Sequence, residues 1–256
     1  MRVIFWCEFP EQLNFKKLNS AINFNTEIYF AASSRKEFMG IRRKIKNKNI
    51  SVGAWPILEK KDGYWFSGFV SRKCIDKLDS FKGINIKIDI EPPIYNGRHS
   101  LIKDFFWLAR YSTKKGENND YLRYKTSRIS SNLIISGFLL PKFIRKRYGH
   151  DINNGVKNYI CYTTFFLRIL RPLARFFLIR IIKRMRKDNF YAVGLANPGI
   201  FKNEPDYESI EEFKADIAMM KTAKIQNLCI YSIEGILKRK DSNEWLSLIK
   251  LFLSDR

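Results

Sequence analysis

The sequence predicts an α/β protein built as a single (β/α)8 barrel, with a long connection after the fourth strand. Eight short runs of aliphatic, β-branched and aromatic residues alternate with eight helix-length amphipathic segments, a pattern typical of a parallel sheet. The 256 residues match the roughly 250 that such a barrel needs. An open doubly wound sheet is the alternative, but the segment after the first predicted strand, CEFPEQ, has no glycine for a phosphate loop. We therefore expect residues 1–256 to form one closed TIM-type barrel domain.

The predicted elements follow one another in a regular order. The strands are expected at residues 3–8, 27–32, 51–56, 84–91, 133–139, 159–164, 190–196 and 228–233. The helices are expected at residues 11–22, 34–46, 71–81, 101–111, 141–148, 165–186, 209–222 and 242–253. Ser209 begins a capping box, and Asp241 opens a similar N-terminal signal before the last helix. The fifth strand and helix are the least regular, and residues 112–131 are predicted to form a long connection or an extra surface helix.

The composition indicates a folded and strongly basic protein. Apolar residues make up 45% of the chain, which excludes intrinsic disorder as its main state. There are 47 Lys and Arg residues against 25 Asp and Glu residues, a formal net charge of +22. A charge of this size is compatible with an anionic membrane surface or a polyanion as a partner. The basic runs are spread over the chain, whereas nucleic-acid binding needs one organised stripe, and no specific nucleic-acid motif is present.

One basic segment stands apart from the others. Residues 152–187 contain no acidic residue, and at 100° per residue Arg168, Arg171 and Arg175 share one side of the predicted helix. Two interpretations are open for this basic face. It is either the solvated basic edge of an outer helix, or a patch that docks on an anionic membrane surface or a polyanion, with arginine stems over apolar ground.

The cysteines and the apolar segments bear on cellular location. The four cysteines form no CxxC pair, and three of them lie in apolar runs, which favours a reducing compartment. The N-terminal apolar run is too short for a signal-peptide core, and the apolar stretch 159–185 is interrupted by arginines and by Pro172. We therefore expect a cytoplasmic protein, or one held peripherally at the membrane. His99 and His150 have no second ligand at metal-binding spacing, so neither a metal nor another cofactor is predicted.

The fourth predicted strand, within INIKIDIEPP at residues 84–93, is the most informative segment for chemistry. Isoleucines occupy one face, and Lys87, Asp89 and Glu91 lie on the other. At an exposed sheet edge this polar row would face water. In a barrel it would point into the interior, with its acids at the C-terminal end of the strand, where such barrels hold their active sites. Because a neighbouring carboxylate can keep Glu91 protonated, Glu91 is the candidate general acid, with Asp89 as its modulator and Lys87 holding Asp89 ionised.

At these residues the chain resembles the family 18 glycoside hydrolases, chitinase-like (β/α)8 barrels whose fourth strand ends in a D-x-x-D-x-D-x-E pattern. Asp89 and Glu91 match its last two members, whereas Ile84 and Lys87 occupy the positions of the two earlier Asp residues. The sixth predicted strand keeps the tyrosine of the family's Met-x-Tyr signature as Tyr162. The resemblance implies that Glu91 is the general acid, Asp89 its partner and Tyr162 a substrate-positioning hydroxyl.

Further candidates lie at the ends of other predicted strands. Glu8 ends the first strand and Glu234 ends the eighth, and these strands are neighbours in a closed barrel, so either acid is a candidate nucleophile or base opposite Glu91. Glu234 precedes a glycine, so it can equally be a solvated turn residue. The candidate substrate-binding residues are Trp55, which would stack on sugar rings, together with Tyr162, Tyr231 and Asn197.

Taken together, these residues predict a barrel that acts on or binds a carbohydrate substrate by carboxylate acid/base chemistry, as a glycosidase does. The alternative is a non-catalytic or differently catalytic barrel that binds a polyanion or an anionic membrane surface through its basic face. The sequence leaves open whether the protein is an enzyme.

Overall fold

Eight parallel strands close into a barrel, as the sequence predicts. The computed structural model describes residues 1–94, 110–129, 132–152, 154–200 and 204–254. The strands are arranged in the order of the chain, and the first lies next to the eighth. They are β1 (Arg2–Cys7), β2 (Thr26–Ala32), β3 (Ile50–Pro56), β4 (Ile86–Asp89), β5 (Leu133–Phe138), β6 (Val156–Ile160), β7 (Phe190–Val193) and β8 (Asn227–Tyr231).

Local capping signals decide where the helices begin. Besides the helical residues 110–113, they are, within the described ranges, α1 (Phe15–Ala21), α2 (Arg35–Arg42), α3 (Arg72–Asp76), α4 (Asn119–Ser127), α5 (Lys142–Tyr148), α6 (Arg171–Ile182), α7 (Ile210–Thr222), α8 (Ile233–Lys238) and α9 (Ser242–Ser254). The Asn14 side chain accepts a hydrogen bond from the amide of Lys17 at 2.9 Å, so α1 begins at Phe15 rather than at residue 11. α4 is the extra helix expected within residues 112–131, whereas most of the predicted helix 101–111 lies outside the described residues.

The chain turns from strand to helix earlier than predicted at the end of β8. β8 stops at Tyr231, and the Ser232 hydroxyl accepts a hydrogen bond from the amide of Gly235 in α8. The predicted strand end at residue 233 is therefore wrong, and Glu234 lies in the first turn of a helix. The six residues of α8 are too few to show a helical period, so the sequence does not predict this helix.

The chain divides into two compact units. The first comprises residues 1–30, 40–52 and 158–256, and in it β8 pairs with both β1 and β7. The second comprises residues 31–39 and 53–157, and in it β4 pairs with β5. The strands are buried along nearly their whole length, as expected of parallel strands covered on both faces. Among the described residues, no helix has both the length and the apolar character needed to cross a bilayer.

Helix α6 carries the basic face, and two of its arginines, Arg171 and Arg175, are turned towards α7. The Arg171 guanidinium lies 2.5 Å from Glu212, and Arg175 lies 2.6 Å from Asp216, with side chains only 6% and 17% exposed. Arg168, in the turn before the helix, pairs with the same Glu212 at 3.1 Å. The interpretation of a solvated basic edge is therefore wrong for Arg171 and Arg175, because α7 supplies carboxylates that bury and neutralise them.

Asp216 is the centre of a buried polar network in the first unit. Its carboxylate accepts hydrogen bonds from the Thr163 hydroxyl at 2.7 Å, from the Tyr207 hydroxyl at 2.6 Å and from Arg175 Nε at 2.6 Å. Burial raises the pKa of Asp216, and the three donors oppose that rise. Because the side chain is fully buried, these partners supply the stabilisation that water gives an exposed carboxylate.

We expect Asp216→Ala to lower the free energy of unfolding by about 3–5 kcal/mol, because it leaves a guanidinium and two hydroxyl groups buried without their acceptor. Glu211→Ala, on the exposed side of the same helix, is the matched control and should cost less than about 1 kcal/mol. Urea denaturation of both variants measures the difference. Equal losses for the two would show that the network contributes nothing specific.

Candidate active site

The polar row of β4 is buried. The side chain of Lys87 is 0% exposed and that of Asp89 is 3% exposed, and Glu91, just beyond the strand, is buried as well. The interpretation of a water-facing polar row is therefore wrong. The isoleucines of the opposite face are buried too, as a strand of a closed barrel requires, since one of its faces meets the interior and the other the surrounding layer.

Lys87 and Asp89 form a buried ion pair. Lys87 Nζ donates a hydrogen bond to Asp89 Oδ2 at 2.7 Å, and the same ammonium lies 3.5 Å from the centre of the Trp55 ring. Both interactions compensate Lys87 for the loss of water. The face of Trp55 that meets the ammonium is not available to a sugar ring. Since Lys87 balances the charge of Asp89, the repulsion that Asp89 can exert on Glu91 is smaller than the sequence alone suggests.

Glu91 is held in place by its backbone. Beyond the end of β4, Ile90 forms an isolated parallel bridge with Phe66, and the amide of Glu91 donates to the carbonyl of Phe66 at 3.1 Å. On the other side, the amide of Ile90 donates to the carbonyl of Ser136 at 2.8 Å. The chain is thus anchored from both sides, and Pro92 ends the extended run. A carboxyl group on a fixed backbone suits a catalytic role, because proton transfer depends on accurate placement.

A second cluster of polar groups lies in the other unit, where β1 and β8 end. The hydroxyl of Tyr231, the last residue of β8, donates to the carboxylate of Glu8, which directly follows β1. Both side chains are buried, and burial together with the charge of Glu8 raises the pKa of Tyr231 well above its ordinary value. The Tyr231 ring packs at 5.8 Å from Trp6 and at 6.0 Å from Tyr162. Pairing of β1 with β8 therefore brings Glu8 and Tyr231 together, and Tyr162, from the segment after β6, packs against Tyr231.

Glu204 joins this second cluster, and sequence reasoning missed it. Its carboxylate accepts a hydrogen bond from the amide of Gly199 at 2.8 Å, in the loop after β7. A Cβ on Gly199 would stand 2.6 Å from Glu204 Oε2, 2.5 Å from the Tyr231 hydroxyl and 3.1 Å from Glu8 Oε2. Glycine is therefore needed here for close approach, and two carboxylates and a phenol converge on one point of backbone. The only signal in the sequence was an acid in a loop with Gly and Pro.

Glu234 has a supporting position beside Glu8. Its Oε1 accepts hydrogen bonds from the amide of Glu8 at 2.8 Å and from the amide of Phe9 at 3.3 Å. The side chain is buried, so the alternative of a solvated turn residue is wrong. Burial raises the pKa of Glu234, and the backbone donors oppose the rise. This carboxylate fixes the backbone that carries Glu8, and its assignment as nucleophile or base stays a prediction.

The remaining predicted site residues have different surroundings. Tyr162 is buried and its ring meets Phe165 edge-on at 5.5 Å. Asn197 is half-buried and its side-chain amide donates to the carbonyl of Pro198 at 3.0 Å, which stabilises the loop after β7. No group of three or more His, Cys, Asp or Glu side chains placed to hold a metal ion occurs in the part of the chain that the structure describes. That Glu8 or Glu234 faces Glu91 stays a prediction.

Because the pKa of Glu234 is raised, we expect the free energy of unfolding to depend on pH. The folded protein binds the proton of Glu234 more tightly than the unfolded chain does. Protonated Glu234 therefore contributes to the free energy of unfolding at pH values below its ordinary pKa of 4.5, and this contribution is lost as the pH rises through its raised pKa in the folded protein. Glu234→Gln keeps an oxygen for the two amides but cannot ionise. From pH 4.5 to about pH 8, stability should therefore shift in favour of the variant, by about 1.4 kcal/mol for each unit by which the pKa is raised.

Urea denaturation of the wild type and of Glu234→Gln across this pH range measures the effect, with the exposed Glu11→Gln as matched control. A difference in unfolding free energy between wild type and Glu234→Gln that is the same at every pH would contradict the assignment.

Comparison with known proteins found similarity in structure alone. No family model and no curated protein matches the chain. Among solved structures, the chain is similar to the PgaB (BpsB) glycoside hydrolase domain from Bordetella bronchiseptica, with a TM-score of 0.65, 8% identity and coverage of 97% of this chain and 98% of that one. It is also similar to a GH18 chitinase from Pseudoalteromonas aurantia, with a TM-score of 0.56, 9% identity and coverage of 98% and 100%.

A third similar structure is the catalytic domain of a GH18 chitinase from the fern Peteris ryukyuensis, with a TM-score of 0.56, 10% identity and complete coverage of both chains. At 8–10% identity these likenesses show the fold alone. The chain has the (β/α)8 fold of family 18 glycoside hydrolases, and the resemblance noted in the sequence is confirmed at that level.

Proposed function

We propose that this barrel cleaves glycosidic bonds, with Glu91 as the general acid. The observation that carries the proposal is the buried row on β4, in which an ion-paired Asp89 precedes Glu91 at the C-terminal end of a barrel strand. This is the end at which barrels of this type hold their active sites. The fold shared with glycoside hydrolase domains supports the same assignment.

Glu91 would protonate the oxygen of the leaving sugar as the glycosidic bond breaks. A general acid must carry a proton that it can transfer to the leaving oxygen. Glu91 would regain a proton from the water that completes hydrolysis, so the acid is restored after each turnover.

Asp89 would position Glu91 and stabilise positive charge on the reacting sugar. Lys87 donates a hydrogen bond to Oδ2 of Asp89, whereas Oδ1 of Asp89 has no hydrogen-bond partner among the described residues. Oδ1 is therefore the oxygen that can accept a hydrogen bond from a protonated Glu91 or from the substrate. Since Lys87 fixes Asp89 on one side, the carboxylate does not have to reorganise during the reaction.

The second cluster would act as a binding group for hydroxyls. Glu8 and Glu204 are carboxylates held close to the Tyr231 hydroxyl, and hydrogen-bonded acids of this kind can orient sugar hydroxyl groups or a water molecule. As substrate we propose oligomers of N-acetylglucosamine, because the similar structures include two chitinases.

Glu91→Gln tests the proposal through the leaving group. With an N-acetylglucosamine oligomer, which leaves as an alkoxide unless it is protonated, we expect kcat/KM to fall by about 10²–10⁴-fold. With an aryl glycoside whose phenol needs no protonation, the loss should be less than about tenfold, because general acid catalysis contributes little there. Both substrates are incubated with wild type and variant, and the rate at which product is released gives kcat/KM for each. The measured quantity is the ratio of the loss on the sugar oligomer to the loss on the aryl glycoside.

Glu59→Gln is the matched control, because it makes the same substitution at an exposed position. Circular dichroism should show the same fold in all three proteins. Equal losses on both substrates, or full activity of Glu91→Gln on the sugar oligomer, would overturn the role of Glu91. Absence of hydrolysis by the wild type on a broad panel of glycosides would overturn the proposed activity.

A further inference from the structure

Residues 165–181 expose large apolar side chains to an unusual extent. Those between 46% and 84% exposed include Leu167, Ile169, Leu173, Phe176, Phe177 and Ile181, and we call these six residues the apolar face. They belong to one continuous segment made of two 3-10 turns and helix α6. Single exposed apolar residues are ordinary, whereas a contiguous group of this kind marks a surface that binds something.

The orientation of α6 explains why these residues point outwards. Leu173, Phe176, Phe177 and Ile181 follow a spacing of three or four residues and so lie on one side of the helix. The opposite side holds Arg171 and Arg175 against Glu212 and Asp216 of α7. The ion pairs therefore turn the helix so that Arg171 and Arg175 face inwards and the apolar stripe is exposed, the reverse of an ordinary surface helix.

Cations border the apolar face at the C-terminal end of α6. Arg180, Lys183, Arg184 and Lys187 are exposed, and none of them forms an ion pair within the described ranges. The guanidinium of Arg180 lies 4.3 Å from the centre of the Phe176 ring, so cation and apolar face adjoin directly. The nearby Asp188 forms an ion pair with Arg186 at 2.5 Å rather than with one of these four cations. The border is therefore strongly positive next to an uncharged apolar stripe.

We propose that the apolar face and its basic border form a docking site for an anionic lipid bilayer, a role separate from the proposed hydrolytic reaction. Apolar side chains would enter the boundary between headgroups and acyl chains, while the four cations contact anionic headgroups. The 12 residues of α6 span about 18 Å, too short to cross a bilayer, so the helix would lie in the plane of the surface.

Charge complementarity favours this partner over a second copy of the chain. A symmetric pair formed through the apolar face would place the same four cations close to their counterparts, and like charges across an interface are unfavourable. An anionic bilayer satisfies the apolar stripe and the cations together. Of the arginines in the docking-patch interpretation of the sequence, Arg171 and Arg175 take no part, because carboxylates of α7 neutralise them.

Vesicle binding by the intact protein tests the proposal. The probe is phosphatidylcholine vesicles with about 30 mol% phosphatidylglycerol, compared with vesicles of phosphatidylcholine alone, by co-sedimentation. We expect binding to the anionic vesicles, weaker binding to the neutral ones, and a decrease as salt is raised. The double variant Ile169→Gln/Phe177→Gln should weaken binding by at least about tenfold, and Lys183→Gln/Arg184→Gln by about tenfold or more.

Matched controls are Leu251→Gln, an equally exposed apolar residue on α9, and Arg42→Gln/Arg43→Gln, which removes the same charge elsewhere. These controls should bind within about twofold of the wild type, because neither lies on the apolar face or its border. Failure of the wild type to bind anionic vesicles, or equal losses in the controls, would overturn the proposal. So would a dimeric wild type that Ile169→Gln/Phe177→Gln converts to monomers, because the face would then be an interface between copies.

Discussion

Burial of charge is the constraint on which the rest of this structure depends. A closed barrel turns one face of every strand away from water, so a charged residue on that face needs a partner within the protein. Lys87 meets this need through Asp89 and the Trp55 ring, and Glu8 meets it through the Tyr231 hydroxyl. The same requirement fixes the geometry of both clusters, because a buried carboxylate is stable only where its donors hold it.

The constraint acts on the outer layer as well. Acids on α7 bury two arginines of α6, and the helix presents its leucines, isoleucines and phenylalanines to the outside. The net charge of +22 is therefore not evenly available for binding. Part of it is neutralised inside the structure, and the part that borders α6 is combined with apolar side chains, which changes the kind of surface that the protein offers.

The sequence predicted the barrel well, because its strands are apolar runs bounded by clear breaks. It also predicted that Lys87 and Asp89 share one face of a strand, which agrees with the hydrogen bond between them. It did not place Glu234 correctly, because Ser232 ends β8 early and starts a helix of six residues. Glu204 was missed for a different reason: it reaches the cluster around Tyr231 from a loop, and loops have no period from which a position can be read.

By itself, the sequence determined the fold class, the order of the strands and the position of two acids at the end of the fourth strand. These follow from local patterns, because hydrophobic periodicity and capping residues act over a few positions. Only the tertiary structure decided which charges are partnered. Lys87 with Asp89 is a local pair, but Tyr231 with Glu8 and Arg175 with Asp216 join residues far apart in the chain. Pairing of this kind depends on distance in space, and strand closure and helix packing set that distance.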